Sequence, residues 1–264
     1  MRNPPVFNRP VFNRPVLNRP VFNPPVFNPT VASITARATL SRRRALLFAG
    51  PAAILIGLTL VLRASRPAGT PWPDTVLGDF GFSVLLPLTA LIIGTGVLGA
   101  EIDDGSVVHL LATPVRRADV IITKFAVAAG LTALFTAVPE LVAGLIAPSP
   151  AKLALALFAG ALVGSVVYSA VFVLASVLTS RAIAFGLLYV AVWEGLLGNL
   201  VGGVRVLSVA HYSLGVANAI YPDPDLRAGL GLATALTLAV VVTAGGLYAA
   251  TRRLRSFTLA GDPA

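Results

Sequence analysis

Six long apolar windows constrain this chain more than any other feature of its sequence. They lie at about residues 45–62, 80–100, 125–147, 153–178, 182–201 and 228–250. A helix needs roughly 20 such residues to cross a hydrocarbon core of about 30 Å, because each residue adds about 1.5 Å. Since an isolated strand would leave backbone groups unpaired in lipid, the windows predict an all-α integral membrane protein with six transmembrane helices.

Charge is scarce and is distributed unevenly along the chain. Charged residues make up 12% of the sequence, about half of what soluble domains carry. If the N-terminus is cytoplasmic, six spans leave only five of the 20 lysines and arginines outside: Arg63, Arg66, Lys152, Arg205 and Arg227. This asymmetry predicts cytoplasmic N- and C-termini. The net charge of +9 is then explained by basic residues that set the orientation of the spans and contact anionic lipid headgroups, which argues against a nucleic-acid partner.

Metal and thiol chemistry have little support in the sequence. The chain has no cysteine, which excludes disulfides and thiolate metal sites, and its two histidines, His109 and His211, lie far apart. We therefore expect no metal site and no cofactor bound by this chain.

The N-terminal region precedes the first apolar window. Residues 1–29 repeat Asn-Pro-Pro-Val-Phe and its Arg-Pro variants, so proline recurs about every fifth residue. This predicts a disordered or polyproline-II-like tail, which either docks a partner or has no role. Residues 30–44 have a helical composition and end in three arginines, which predicts an interfacial helix leading into the membrane domain at 30–264.

A second irregular region lies before the last apolar window. Residues 202–227 begin too apolar for a free loop, yet the apolar part is too short to cross a bilayer. The sequence therefore predicts a re-entrant segment that dips part-way into the outer leaflet.

The densest charge lies between the second and third windows, in EIDDGSVVHLLATPVRRADVIITK at 101–124. Asp104 can cap a new helix, Leu110 and Leu111 fall on one face of it, and Pro114 suits the start of the next helix. These residues predict a short amphipathic helix on the cytoplasmic surface. It is either a contact surface for a cytoplasmic protein or a simple connector of two spans.

The same stretch resembles a known family motif. Permeases of the second type of ATP-binding-cassette (ABC) exporter carry a glutamate, then Gly-Ser or Gly-Thr, Leu-Leu, a proline, and a final arginine and lysine. The matching residues here are Glu101, Gly105, Ser106, Leu110, Leu111, Pro114, Arg117 and Lys124. The similarity covers roughly residues 31–257. It implies that the helix between spans two and three is a coupling helix that docks on an ATPase subunit.

The resemblance also implies what this chain does and with what. It predicts a permease subunit of an ATP-driven transporter in a bacterial cell membrane, which exports a hydrophobic or amphipathic compound and pairs with a second permease copy or paralogue. Its ATPase-coupling residues would be Glu101, Asp104, Gly105, Leu110, Leu111, Pro114, Arg117 and Lys124. Neither lysine follows a phosphate-binding glycine run, so a partner ATPase must bind the ATP, and we expect no enzyme activity of the chain itself.

Two carboxylates lie within predicted spans. Glu140 and Glu194 would each cost about 2.5 to 3.5 kcal/mol at the bilayer centre, so each should face a cavity, a partner or the interface. We expect them either on the transport path or in a contact between helices. Two other functions stay open: an ion-coupled secondary transporter that uses both, and a lipid-modifying enzyme that uses Asp103 and Asp104 with a metal.

Overall fold

All the regular structure described for this chain is helical. The computed structural model describes residues 27–66, 72–103, 117–197, 202–223, 226 and 229–255. Every regular element in these ranges is a helix, and several are long and apolar, so the chain is an all-α membrane protein. Residues 1–26 of the tail predicted at 1–29, and the predicted coupling helix within 104–116, lie outside the described residues. Asn28 and Pro29, the last two residues of that tail, form the N-cap and the first residue of a helix.

The N-terminal helix α1 comprises Pro29–Thr39. The side chain of Asn28 caps it by accepting hydrogen bonds from the backbone N–H groups of Thr30 and Val31, at 3.0 and 3.3 Å. The face that α1 turns toward the bundle carries Thr35 and Thr39, which are both buried.

The next helix, α2, comprises Arg42–Ser65 and is the first span. Ser41 has an extended backbone, which ends α1 and starts α2. The helix predicted at 30–44 is therefore divided in two, and the three arginines form the first turn of α2 instead of the end of the interfacial helix.

Four further helices match apolar windows. The second span joins a π-helical segment, Val76–Leu85, to α3, Leu86–Asp103; we call Val76–Leu85 the first π segment. The others are α4, Arg117–Ile146; α5, Ala151–Leu178; and the last helix, α8, Leu232–Arg255. Together with α2 these give five described helices with the length and composition of membrane spans.

The fifth window forms a shorter helix. It consists of α6, Ala182–Leu188, and a second π segment, Tyr189–Leu197. The apolar run Ala182–Leu196 would extend about 22 Å at 1.5 Å per residue, less than the hydrocarbon core. Five of the six predicted spans are thus confirmed by length and composition, while a crossing at 182–201 stays a prediction.

A short buried helix follows this window. After the 3₁₀ turn Gly202–Leu207, α7 comprises Val209–Ile220 and is only about 18 Å long. All nine residues from Val209 to Ala217 are buried, and α7 packs between α5 and α8. The predicted re-entrant segment at 202–227 therefore contains a helix that is too short to cross and too buried to be a loop.

The bundle is built around α5. This helix packs against α3, α4, α7 and α8, and more than half of its length is buried. Two glycines on α5 let α7 come close: a Cβ at Gly160 would lie 2.6 Å from the carbonyl oxygen of Ser213, and one at Gly164 would lie 2.3 Å from the hydroxyl of the same serine. Hence α7 is seated deep in the bundle.

Candidate functional site

The predicted coupling residues divide between the ends of two spans and the stretch that joins them. Glu101 lies in the last turn of α3, and Arg117 is the first residue of α4. The other five besides Lys124 lie outside the described residues: Asp104, Gly105, Leu110, Leu111 and Pro114. Glu101 and Arg117 therefore flank the predicted coupling helix.

Lys124 does not lie on the surface. Its side chain is only 1% exposed, and its ammonium donates a hydrogen bond to the carbonyl oxygen of Val97 at 2.8 Å. Val97 belongs to α3, so this bond joins the two spans that flank the predicted coupling helix. A contribution of Lys124 to coupling must therefore act through span packing, because the side chain cannot touch a cytoplasmic partner from this position.

Helix α1 packs beside the same ends of these spans. The backbone N–H of Asn28 donates to the hydroxyl of Thr123 at 3.1 Å, and α1 contacts both α4 and α3. Thr123 is fully buried and directly precedes Lys124. The ends of α1, α3 and α4 thus form one connected group next to the predicted coupling helix.

Glu140 is fully enclosed inside the bundle. It follows Pro139 in α4, is 1% exposed, and neither carboxylate oxygen has a hydrogen-bond partner among the described residues. The carboxylate lies against the first π segment, where a Cβ on Gly81 would come within 1.7 Å of Oε1. Glycine at 81 therefore leaves the space that the carboxylate occupies.

Hydroxyl side chains extend along α4 below Glu140. Thr136 and Thr132 lie four and eight residues before it, on nearly the same helix face, and both are fully buried. Across the interface with α5, the hydroxyls of Thr136 and Ser165 are 3.1 Å apart, and that of Ser169 donates to Thr132 at 3.4 Å. The interior between α4 and α5 therefore offers polar groups next to Glu140.

Glu194 has quite different surroundings. It lies in the second π segment and is 2% exposed. Its carboxylate accepts hydrogen bonds from the backbone N–H of Val209 at 2.9 Å, from the hydroxyl of Tyr189 at 3.1 Å, and from the hydroxyl of Ser208. Val209 is the first residue of α7, so a negative charge lies at the positive end of that helix dipole. Of our two expectations for Glu194, the geometry fits a contact between helices.

Ser208 and His211 complete this group; Ser208 was not singled out from the sequence, and His211 was considered there only as a metal ligand. The Ser208 hydroxyl lies 3.0 Å from Nδ1 of His211, and both side chains are buried. A serine followed at once by the apolar run of α7 is a typical helix N-cap, which is the signal that could have identified it. Ser208 is 0% exposed. The group of Glu194, Ser208 and His211 can therefore bind a proton or stabilise the fold, but it cannot contact a substrate in this conformation.

The two carboxylates do not share a site. Glu140 faces the first π segment, while Glu194 binds the start of α7. Within the described ranges no group of three histidine, cysteine, aspartate or glutamate side chains could hold a metal ion. Asp104, one of the two residues of the lipid-modifying alternative, lies outside those ranges.

The sequence comparisons identify the family. A profile described as ABC-2 family transporter protein matches residues 39–185, which is more than half of the chain and includes the whole stretch at 101–124. This chain belongs to the ABC-2 transporter family. ABC-2 permeases are multi-pass transport subunits that associate with an ABC-type ATPase. No curated protein matches the chain significantly.

Proposed function

We propose that this ABC-2 permease is driven by a separate ATPase subunit that docks on the stretch at 101–117, between the last turn of α3 and the first residue of α4. Two copies, or this chain and a paralogue, would enclose the transport path in a bacterial cell membrane. The observation that carries the proposal is the bond between Lys124 and Val97, because it ties α3 to α4 next to the docking stretch. A push on that stretch would then move both spans together.

The energy source in this proposal is external to the chain. The ATPase with bound nucleotide would bind one packing of α3 and α4 more tightly than another. This difference in binding would shift the permease toward the favoured packing. Glu101 and Arg117 lie at the two ends of the docking stretch and supply opposite charges for the contact. Neither residue would take part in ATP hydrolysis.

The proposed cargo is a hydrophobic or amphipathic compound moved outward. Support comes from the apolar side chains that the helices present on most sides and from the scarcity of charge within the spans. A compound of this class can enter from the membrane itself, whereas a strongly polar one would need a lined aqueous path.

The docking proposal is tested by assembly and transport with an ABC-type ATPase from the same organism. Glu101→Ala and Arg117→Ala should each reduce co-purification of the co-expressed ATPase, because each removes a charge at the end of the docking stretch. Lys152→Ala is the matched control, since this exposed lysine lies at the opposite end of the bundle, in the first turn of α5. Assembly and export that are unchanged in both variants would overturn the docking role.

ATP turnover separates the permease from its partner. The purified permease should hydrolyse no ATP alone, and addition of the ATPase subunit should bring hydrolysis that responds to the permease. Turnover by the permease alone would contradict the proposal, and turnover that also required a divalent metal and lipid would favour the lipid-modifying enzyme.

A second candidate function is supported by one observation: the carboxylate of Glu140 has no hydrogen-bond partner among the described residues. A buried carboxyl beside a row of hydroxyls can receive a proton or a small cation, as an ion-coupled transporter requires. Under this alternative, Glu140→Gln abolishes transport, and export survives ATP depletion but fails when the proton gradient collapses. If export stops on ATP depletion with the gradient intact, the ATP-driven proposal stands.

A further inference from the structure

A cavity of about 570 Å³ lies at the end of the bundle where α1 meets α2. Its walls come from the beginning of α2, the second half of α3, and the junction at 179–184 between α5 and α6. The volume is within the range of about 300 to 1,000 Å³ that is usual for small-molecule sites. Lys124, Glu140 and Glu194 do not line it, so it is separate from the sites described above.

The lining of this cavity combines cationic and apolar side chains. Two of the lining side chains are charged, Arg44 and Arg181, and both are positive; no carboxylate is among them. The apolar part includes Leu47, Phe48 and Ile183. Leu47 and Ile183 are 62% and 61% exposed, so the cavity opens sideways, where acyl chains would surround the bundle.

The position of the arginines fits the level of lipid headgroups. Arg181 lies in the short link between two apolar helices, which must be near the membrane surface. Arg44 lies in the first turn of α2, at the same end of the bundle. Guanidinium groups pair well with phosphate and carboxylate groups, and each cation at a membrane surface contributes roughly a fivefold gain in binding of anionic lipid.

We infer that this cavity binds an acidic amphiphile. A phosphate or carboxylate head would lie between Arg44 and Arg181, with a hydrocarbon chain along Leu47 and Ile183. Such a ligand has two sources: an anionic lipid of the membrane, or an acidic amphiphile that the permease transports. The inference does not depend on the docking of an ATPase.

Native mass spectrometry of the detergent-purified protein tests this site. Phosphatidylglycerol and phosphatidylcholine with identical acyl chains are titrated into the wild type, R44Q/R181Q and R252Q. The wild type should retain phosphatidylglycerol in preference to phosphatidylcholine, and R44Q/R181Q should bind phosphatidylglycerol about 30-fold more weakly, a factor of about five for each cation. Arg252 is exposed in α8 and outside the cavity, so R252Q should bind like the wild type.

Further measurements separate the possible explanations. R44K/R181K keeps the charges and should retain most of the binding, while a thermal melt shows whether R44Q/R181Q is folded. Dodecyl phosphate is then added to the complex with phosphatidylglycerol. If it displaces the lipid at a concentration below the one at which phosphatidylglycerol binds, the ligand is a free amphiphile. If it does not displace the lipid, the ligand is the membrane lipid. Equal binding of phosphatidylglycerol by the wild type and a folded R44Q/R181Q protein, or equal loss in R252Q, would overturn the inference.

Discussion

At the scale of single residues, three of the buried charged side chains have three different kinds of surroundings. The ammonium of Lys124 binds a backbone carbonyl on the neighbouring span, and the carboxylate of Glu194 binds the start of α7. Glu140 has no hydrogen-bond partner among the described residues and instead fills the space left by Gly81. A charge inside a membrane is costly unless it is paired or hydrogen-bonded. Of these three residues, Glu140 is therefore the one whose replacement by a neutral residue should disturb the fold least.

The contact between Gly81 and Glu140 gives the first prediction. Gly81→Ala places a methyl group where the carboxylate now lies, so we expect a loss of about 1 to 3 kcal/mol in the free energy of unfolding. Removing the carboxylate in Gly81→Ala/Glu140→Ala should restore much of this loss, because the methyl then has room. Thermal unfolding in detergent measures both, and additive effects of the two substitutions would contradict the proposed contact.

A matched control lies on the same helix as Glu140. Gly130 in α4 is exposed, and a Cβ there would meet no atom within 4 Å. Gly130→Ala should therefore leave stability unchanged or raise it by up to about 1 kcal/mol, as alanine favours helix.

The carboxylate at the start of α7 gives the second prediction. Glu194→Ala removes the acceptor for the Val209 N–H and for two hydroxyls, which should destabilise the protein by about 1 to 3 kcal/mol. The effect should be concentrated in α7, so limited proteolysis should cut at 202–223 at a temperature where α2 to α5 stay intact. Ser208→Ala removes one of these donors and should cost less. Equal protection of 202–223 in the wild type and Glu194→Ala would show that the carboxylate does not hold α7.

At the scale of helices, the sequence predicts most of the long elements and few of their contacts. Windows at 45–62, 80–100, 125–147, 153–178 and 228–250 correspond to α2, α3 with its π segment, α4, α5 and α8, because length and apolarity suffice to mark a span. Neither π segment was predicted, since their wider turns depend on tertiary packing and leave no local signal.

The site was predictable only in part, for a related reason. Glu140 and Glu194 stand out in the sequence as carboxylates within apolar windows, but Gly81 and Ser208 become their neighbours only after folding. Lys124 is predicted at the inner edge of span three and lies near the beginning of α4. No pattern in the sequence indicates that its side chain turns inward to α3. Periodicity assigns a residue to an element, whereas the partner of a buried charge depends on which helices pack together.

The link between α3 and α4 gives the third prediction. Lys124→Met keeps the apolar stem and removes the bond to Val97, so the two spans would no longer move as one unit. We expect the ATPase still to assemble with the variant, and export per ATP hydrolysed to fall at least about tenfold. Lys152→Met carries the same substitution at the other lysine of the chain, which is exposed, and should behave like the wild type. Full export by Lys124→Met would show that the bond has no part in coupling.

At the scale of the whole molecule, burial is unequal among the spans. The most apolar segments of α5 and of the second span are each 61% buried, whereas those of α2 and α8 are each 17% buried. Thus α2 and α8 lie at the periphery, where their apolar faces meet lipid or, in the proposed pair of permeases, a second copy. The amphiphile cavity lies at the start of peripheral α2, so its ligand can exchange with the membrane without opening the core.

Orientation and span number give the fourth prediction, and the absence of cysteine from the chain makes the test direct. Single cysteines at exposed positions are labelled in intact cells with a membrane-impermeant maleimide. With six spans and a cytoplasmic N-terminus, Lys152→Cys and Pro222→Cys should react from outside, and Ser180→Cys and Arg252→Cys only after lysis. Two of these positions precede the short helix at 182–197 and two follow it. If the Ser180 and Pro222 variants react from the same side, the short helix does not cross the membrane. In that case the C-terminus would lie outside, contrary to the buried cluster that joins Leu254 of α8 to Leu98 of α3 and Ile121 of α4 at one end of the bundle.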